Sequence, residues 1–242
     1  CKDYNVVVGV DINREGLAGC VLNLAGDILE EYSAGVSCET KEELMQITSA
    51  SEFYDGIYFV GLPYEINGKL YNVAAAVSKG EVLGIVPKTY LRDNRQFTSG
   101  ACLNTEEVLP NGQIVPVSTD LIFYCPELEN LKIAVEIGED LWAPQAPSVG
   151  HAMGGANVIV NLSADIQVSG RDAYRRDLAI GQSARLICGY IMSNAGEGES
   201  TQDVVYSGHN LIVENGHVYA AQPPLFRIMH GKTRKYVLNE EE

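Results

Sequence analysis

The sequence predicts an α/β protein in which helices cover a mixed β-sheet. Three observations carry that expectation. Apolar runs of strand length recur with turn signals between them, and strand and helix patterns alternate through the centre of the chain. The apolar share is 46% over 242 residues, enough to bury one large core. No repeat period or low-complexity tract points to a solenoid or an array.

The elements follow in order. YNVVVGVDI, GLAGCVLNL and DILEEYSAG read as three strands joined by NREG and AGD turns, and KEELMQITSASEF as a short helix. GIYFVGLPYEI, KLYNVAAAVSKG and EVLGIVPKTYL are three further strands, with SKG as a hairpin turn. DLIFYC and KIAVEI are strands in the middle of the chain. SVGHAMGGA reads as a helix packing small residues, ANVIVNLSA as a buried strand, and RDAYRRDLAIGQSARLICG as a longer helix with an arginine-rich outer face. YIMSNAG, DVVYSGH, NLIVENG and HVYAAQPP make the last third strand-rich. Residues 1–50 therefore form an atypical hairpin-and-helix segment, and residues 51–242 pack as one globular unit.

Composition narrows the function classes. Lys and Arg total 17 against 32 Asp and Glu, and the resulting charge of −15 disfavours nucleic acid and anionic membrane as partners. No apolar run reaches the roughly 18 residues of a membrane span, and no leader pattern is visible, so a cytoplasmic protein is expected. Cys1, Cys20, Cys38, Cys102, Cys125 and Cys188 are scattered without CxxC pairs, which favours reduced thiols over disulfides or zinc. With four dispersed histidines, neither a metal nor a cofactor is expected.

Four stretches could carry chemistry. In VEIGEDLWAP a buried strand stops at Gly138 beside Glu139, a rigid place for a reactive group that glycine leaves without one. In GIVPKTYL, Lys88 at a strand end could steady an oxyanion, or could be a surface lysine whose stem covers apolar neighbours. In NLSADIQVSGR a strand leads to Arg171, suited to clamp a carboxylate or simply a charge at a helix start. AGEGESTQDVVYSGH makes a loop from Ala195 to Thr201, a weak phosphate cradle because no P-loop lysine follows.

Taken in order, GLPYEINGKLYN, LGIVPKTYL, VEIGEDLWAP, GANVIVNLSA, QSAR and AGEGESTQDVVYSGHNLIVENG resemble the glutamine-hydrolysing domain of glutamine-dependent NAD synthetases, a branch of the nitrilase superfamily. The resemblance covers about Glu52 to Phe226. It implies the nitrilase α-β-β-α sandwich, commonly a homo-oligomer, and a Cys–Glu–Lys chemistry in which a thiolate attacks glutamine's amide and ammonia passes to a separate ATP-binding synthetase domain. Lys88 matches the family lysine. The cysteine of the family pattern EICEDLW is replaced by Gly138.

Other positions depart from the family as well. The base glutamate, expected in a PEL-type strand end upstream of GLPYE, has no counterpart in the first fifty residues, and Glu65 lies on the following strand. Asn94 stands where a tyrosine lines the glutamine pocket, and Gln96 where a second glutamate supports the lysine. Arg171 matches a residue expected to hold substrate, whereas Asp165 replaces a small hydroxyl and would repel the glutamine carboxylate. With Glu139 these are the candidate substrate-binding residues. The synthetase motif SGGxDS is absent.

VVVGVDINREGLAGCVLNLAGDILEEY resembles the first hairpin of the ROK group of sugar kinases and repressors, without its glycine-threonine phosphate turn. One hairpin cannot build a nucleotide site, so Tyr4 to Gly35 is read as completing or edging the nitrilase sheet. The expected function is a glutaminase-type domain impaired by the missing nucleophile, with glutamine or a similar small amide as its ligand. The alternatives are a working amidase variant or knockout with Gly138 as the lesion, and a ROK-like ligand-binding fusion whose binding would depend on Asp11.

Overall fold

The computed structural model describes residues 5–13, 16–23, 28–34, 40–53, 56–92, 96–126, 128–196, 204–221, 226–230 and 233–237. Strands β1 (Asn5–Asn13), β2 (Gly16–Asn23) and β3 (Ile28–Ala34) form an antiparallel meander. It is a sheet of its own, although β1 lies alongside strands of both larger sheets. The expectation that this segment adds a hydrogen-bonded edge to the main sheet is therefore corrected.

Helix α1 (Lys41–Ala50) starts at a capping box in which Thr40 and Glu43 satisfy each other's backbone N–H. Strands β4 (Tyr58–Ile66), β5 (Lys69–Ser78), β6 (Glu81–Pro87), β7 (Asn104–Val108) and β8 (Ile114–Ser118) make a five-stranded sheet in the order β4-β5-β6-β8-β7. Asn67 and Gly68, at φ 51° and 72°, close the first hairpin with two left-handed residues, the geometry that matches strand twist. Lys79 and Gly80 close the second in the same way. The β7–β8 hairpin was not legible in the sequence: NTEEV lacks apolar alternation and IVPVS carries a proline.

Strands β9 (Ile122–Cys125) and β10 (Leu128–Ile137), helix α2 (Pro147–Met153), strand β11 (Val158–Ser163), helix α3 (Arg171–Leu186) and strands β12 (Gly189–Asn194), β13 (Leu211–Glu214) and β14 (His217–Ala221) follow. They build a six-stranded sheet, β14-β13-β12-β11-β10-β9, in which β10, β11 and β12 run parallel. Strands β15 (Phe226–His230) and β16 (Thr233–Val237) form a separate hairpin.

The two large sheets face each other. Phe59, Ala74, Ala76 and Val86 of the first pack on Phe123, Ile133, Val135, Ile137 and Val160 of the second. Leu44 and Ile47 of α1 cover the outer face of the first sheet, and Ala179 of α3 sits in the core on the outer face of the second with Ile159, Tyr190 and Val213. The order helix, sheet, sheet, helix is the expected α-β-β-α sandwich, with its apolar layers at the three interfaces.

Two local expectations are corrected. DVVYSGH is not a strand: its described residues contribute one bridge, Tyr206 to Ile166, and Ser207 and His209 turn inward as hydrogen-bonding groups. The arginines of α3 do not share an outer face, since Arg175 is buried while Arg176 and Arg185 are exposed.

Candidate active site

The site grows from the end of β10. Ile133, Val135 and Ile137 point into the layer between the sheets, which sends Glu136 to the other face. There the carboxylate is fully buried, accepting from the Tyr190 hydroxyl and from Ser148 N at 3.0 Å, while Gln182 donates to Ser148 Oγ at 2.8 Å. Burial pushes its pKa up, and the hydrogen bonds from Tyr190 and Ser148 oppose that rise.

After Ile137 the chain turns into a 3₁₀ segment, Gly138–Trp142, with Gly138 at φ 53°. Asn161 of β11 fixes this elbow from both sides. Its Oδ1 accepts from Gly138 N and its Nδ2 donates to Gly138 O, each at 3.0 Å, and Nδ2 also donates to Tyr190 Oη at 3.0 Å. A left-handed residue here faces a small space: a Cβ at 138 would lie 3.7 Å from Lys88 Nζ, 3.8 Å from Leu162 O and 4.0 Å from Ser163 Cα. These are ordinary contacts, so a Cβ has room, while the left-handed φ strains any side chain placed there.

Lys88 is buried, not a surface lysine. Its backbone N–H donates to Asn72 O at 2.8 Å, continuing β6 beside β5, and its Nζ donates to Ile137 O at 2.5 Å. Among the described residues, Asp140 brings a carboxylate to 3.6 Å from the ammonium. Asp140 accepts from the backbone N–H of Tyr90 at 2.7 Å, Thr89 at 3.2 Å and Ile137 at 3.3 Å. Burial raises its pKa, and Lys88 and these three donors hold the rise in check. Asp140 thus ties the Lys88 strand end to the elbow, and the ammonium stands where it could stabilise an oxyanion formed above Gly138.

Among the described cysteines Cys102 is exposed, Cys125 half-buried and Cys188 buried. Burial and the field of Glu136 push the Cys188 thiol up to about 11, the wrong direction for a nucleophile.

The third wall starts at α3. Asp165 binds two arginines: Arg171 through Nη2 at 2.9 Å and Nε at 3.2 Å, and Arg175 through Nη2 at 2.7 Å and Nε at 3.0 Å. Arg175 also donates to Ser207 Oγ at 3.3 Å and His209 Nδ1 at 3.0 Å. Arg171 stacks on Trp142 at 3.8 Å and comes within 3.8 Å of Glu139, which meets Arg92 at 3.5 Å. Glu139, Trp142, Tyr174, Tyr90, Arg92 and Pro144 are among the residues around a cleft of about 510 Å³.

Of the candidate residues, Lys88 and Gly138 meet at the elbow, and Glu139, Arg171 and Asp165 meet at the mouth of α3. Asn94 lies outside the described residues, as does most of the glycine-rich loop, 197–203. Glu65 is exposed on β4. Sequence reasoning missed Asp140, Asn161 and the Glu136–Tyr190 pair. The available signal was a polar residue inside an apolar strand run, Glu136 in KIAVEI and Asn161 in VIVNLS, which is retained only when its hydrogen bonds are met. Among the described residues no group of His, Cys, Asp and Glu could hold a metal ion, and no helix is long and apolar enough to cross a membrane.

No protein-family model matches the chain. Over 185 residues, 74% of its length, it is 35% identical to the glutamine-dependent NAD(+) synthetase of Mycobacterium tuberculosis (strain ATCC 25618 / H37Rv) and covers 27% of that protein. It is similar in structure to a glutamine-dependent NAD(+) synthetase from Cytophaga hutchinsonii, with a TM-score of 0.64 and 27% identity, over 76% of this chain and 30% of that one. Saccharomyces cerevisiae Nit3, a member of branch 10 of the nitrilase superfamily, shares the fold at a TM-score of 0.56 and 16% identity, over 76% and 60% of the two chains. The chain spans about 27% of the length of the curated relatives it matches at 35% identity.

Proposed function

From the premise that this chain belongs to the nitrilase superfamily through a glutaminase-type carbon–nitrogen hydrolase domain, we propose that it keeps an amide-binding scaffold and lacks the hydrolytic step. The carrying observation is Gly138 itself, at a left-handed elbow where a Cβ would lie 3.7 Å from Lys88 Nζ. In the reaction the family resemblance implies, a thiolate adds to the amide carbon, the lysine stabilises the oxyanion, ammonia leaves and water releases the thioester. With no sulfur at 138 the carbon–sulfur bond cannot form, and Lys88 alone supplies charge stabilisation without a nucleophile.

The relatives' name supports an origin beside a NAD synthetase domain, so the partner proposed is such an ATP-binding domain, acting with a homo-oligomer of this fold. The free thiols of Cys102 and Cys188 fit a reducing, cytoplasmic setting.

The test is ammonia release from glutamine by the purified chain and by Gly138→Cys. The natural chain is expected to stay at the solvent background. Steady release well above it would overturn the proposal. A second reading, a working amidase with a single lesion, is favoured by the intact Lys88–Ile137 and Asn161–Gly138 bonds. Turnover gained by Gly138→Cys would select it.

A further inference from the structure

Glu136 takes no part in the amide chemistry, yet buried groups tie it to the elbow without a break. It is 1% exposed, and Tyr190, Asn161 and Ser148 are wholly buried. Backbone groups fix the direction of the hydrogen bonds along this chain. The Gly138 N–H can only donate and the Gly138 C=O can only accept, so Asn161 must turn Oδ1 to the first and Nδ2 to the second. Nδ2 then also donates to the Tyr190 hydroxyl, whose own hydrogen goes to Glu136 Oε1. At the far end the Ser148 N–H donates to Glu136 Oε2 at 3.0 Å. Both oxygens of Glu136 therefore act as acceptors, as those of a carboxylate do.

The near end of the chain bears on Lys88. Asn161 Oδ1 accepts from Gly138 N, and Lys88 Nζ donates to Ile137 O, so the two side chains grip opposite edges of one peptide unit. Asn161 thus fixes the plane whose oxygen seats the ammonium beside the open position at 138. With its amide reversed, Nδ2 would face the Gly138 N–H and Oδ1 the Gly138 oxygen, donor against donor and acceptor against acceptor. Both Asn161 bonds to the elbow would be lost.

We propose that Glu136 is a positioning residue of the elbow: through Tyr190 it dictates which way the Asn161 amide faces, and thereby the pose of the Ile137–Gly138 peptide that seats Lys88. It acts only through these two side chains. The inference stands on the hydrogen-bond directions at the elbow and goes beyond the amide reading, which it does not need.

Glu136→Gln keeps the shape of the side chain and reverses the direction of the relay. The Ser148 N–H needs an oxygen, so the glutamine must turn its NH2 to Tyr190; the hydroxyl then accepts, and its hydrogen goes to Asn161, whose amide flips. The readout is hydrogen exchange of the Gly138 amide in the full chain carrying isotope-labelled glycine. The Gly189 N–H, bonded to Asn157 O at 2.9 Å, reports in the same spectrum that a variant is folded. Glu136→Gln should speed exchange at Gly138 at least about tenfold and leave Gly189 unchanged. Tyr190→Phe should keep Gly138 within about threefold of the natural chain, because Asn161 retains its direction. The double variant Glu136→Gln/Tyr190→Phe should restore most of the protection, an outcome that mere loss of buried support would not produce. Neutron diffraction on the natural chain, which needs no variant, should find the Tyr190 hydroxyl hydrogen on the Glu136 side. The proposal falls if Glu136→Gln leaves Gly138 exchange unchanged, if Tyr190→Phe or the double variant exchanges as fast as Glu136→Gln, or if that hydrogen points to Asn161.

Discussion

Asn161 and His209 show how single buried residues shape the site. Asn161 spends its whole amide on the elbow and on Tyr190, so Asn161→Leu removes its bonds to the Gly138 N–H and C=O and to the Tyr190 hydroxyl. The expected cost is about 3 kcal/mol, read as a lower denaturation midpoint at unchanged m-value. His209 accepts a hydrogen bond from Arg175, so it must be neutral, and burial with the neighbouring guanidinium lowers its pKa to about 4 from an ordinary 6.5. The unfolded chain binds the proton first. Stability from this group is therefore complete above about pH 6.5 and is lost as pH falls from there toward about 4. Denaturation midpoints across that window should fall in the natural chain and fall less in His209→Gln. Neither role could be read from the sequence, because Asn161 and His209 gain their meaning from partners 23 and 34 positions away.

Strands and helices were more legible than the contacts between them. The strands β4, β5, β6, β10 and β11 are apolar runs bounded by turn residues, and α3 is long enough for its spacing to show. Where a segment lacks that patterning, as in β7 and β8, tertiary packing decides: Val115 and Val117 are buried beneath a strand with a proline at its middle. Helix α3 ends on Ile187, a β-branched residue at φ 52° that is 76% exposed. A glycine has no steric cost in that conformation, so Ile187→Gly is expected to stabilise the chain by about 1 kcal/mol in thermal or denaturant melts. Between the sheets, Phe59 and Phe123 meet edge to face at 5.8 Å between centroids. Phe59→Ala should cost about 3 to 4 kcal/mol, since the hydrogen-bonded sheet opposite cannot close the gap.

Across the whole molecule, the sandwich supplies rigidity at one point, where the ends of β6, β10 and β11 converge on Lys88, Gly138 and Ser163. Fold and elbow could be anticipated from motif order, because GLPYE, VPKTYL, VEIGEDLW and NLSA lie at or beside those strand ends. The closed arginine pair could not, because Asp165 attracts its partners through α3 geometry and not through spacing in a strand.

The φ of Gly138 reaches beyond chemistry. A Cβ here would meet only ordinary contacts, while the left-handed backbone would strain any side chain. Glycine and cysteine codons differ at one base, G to T in the first position, when the third is a pyrimidine. Restoring a sulfur here is thus a one-nucleotide step, and its cost is the strain of a side chain at a left-handed φ.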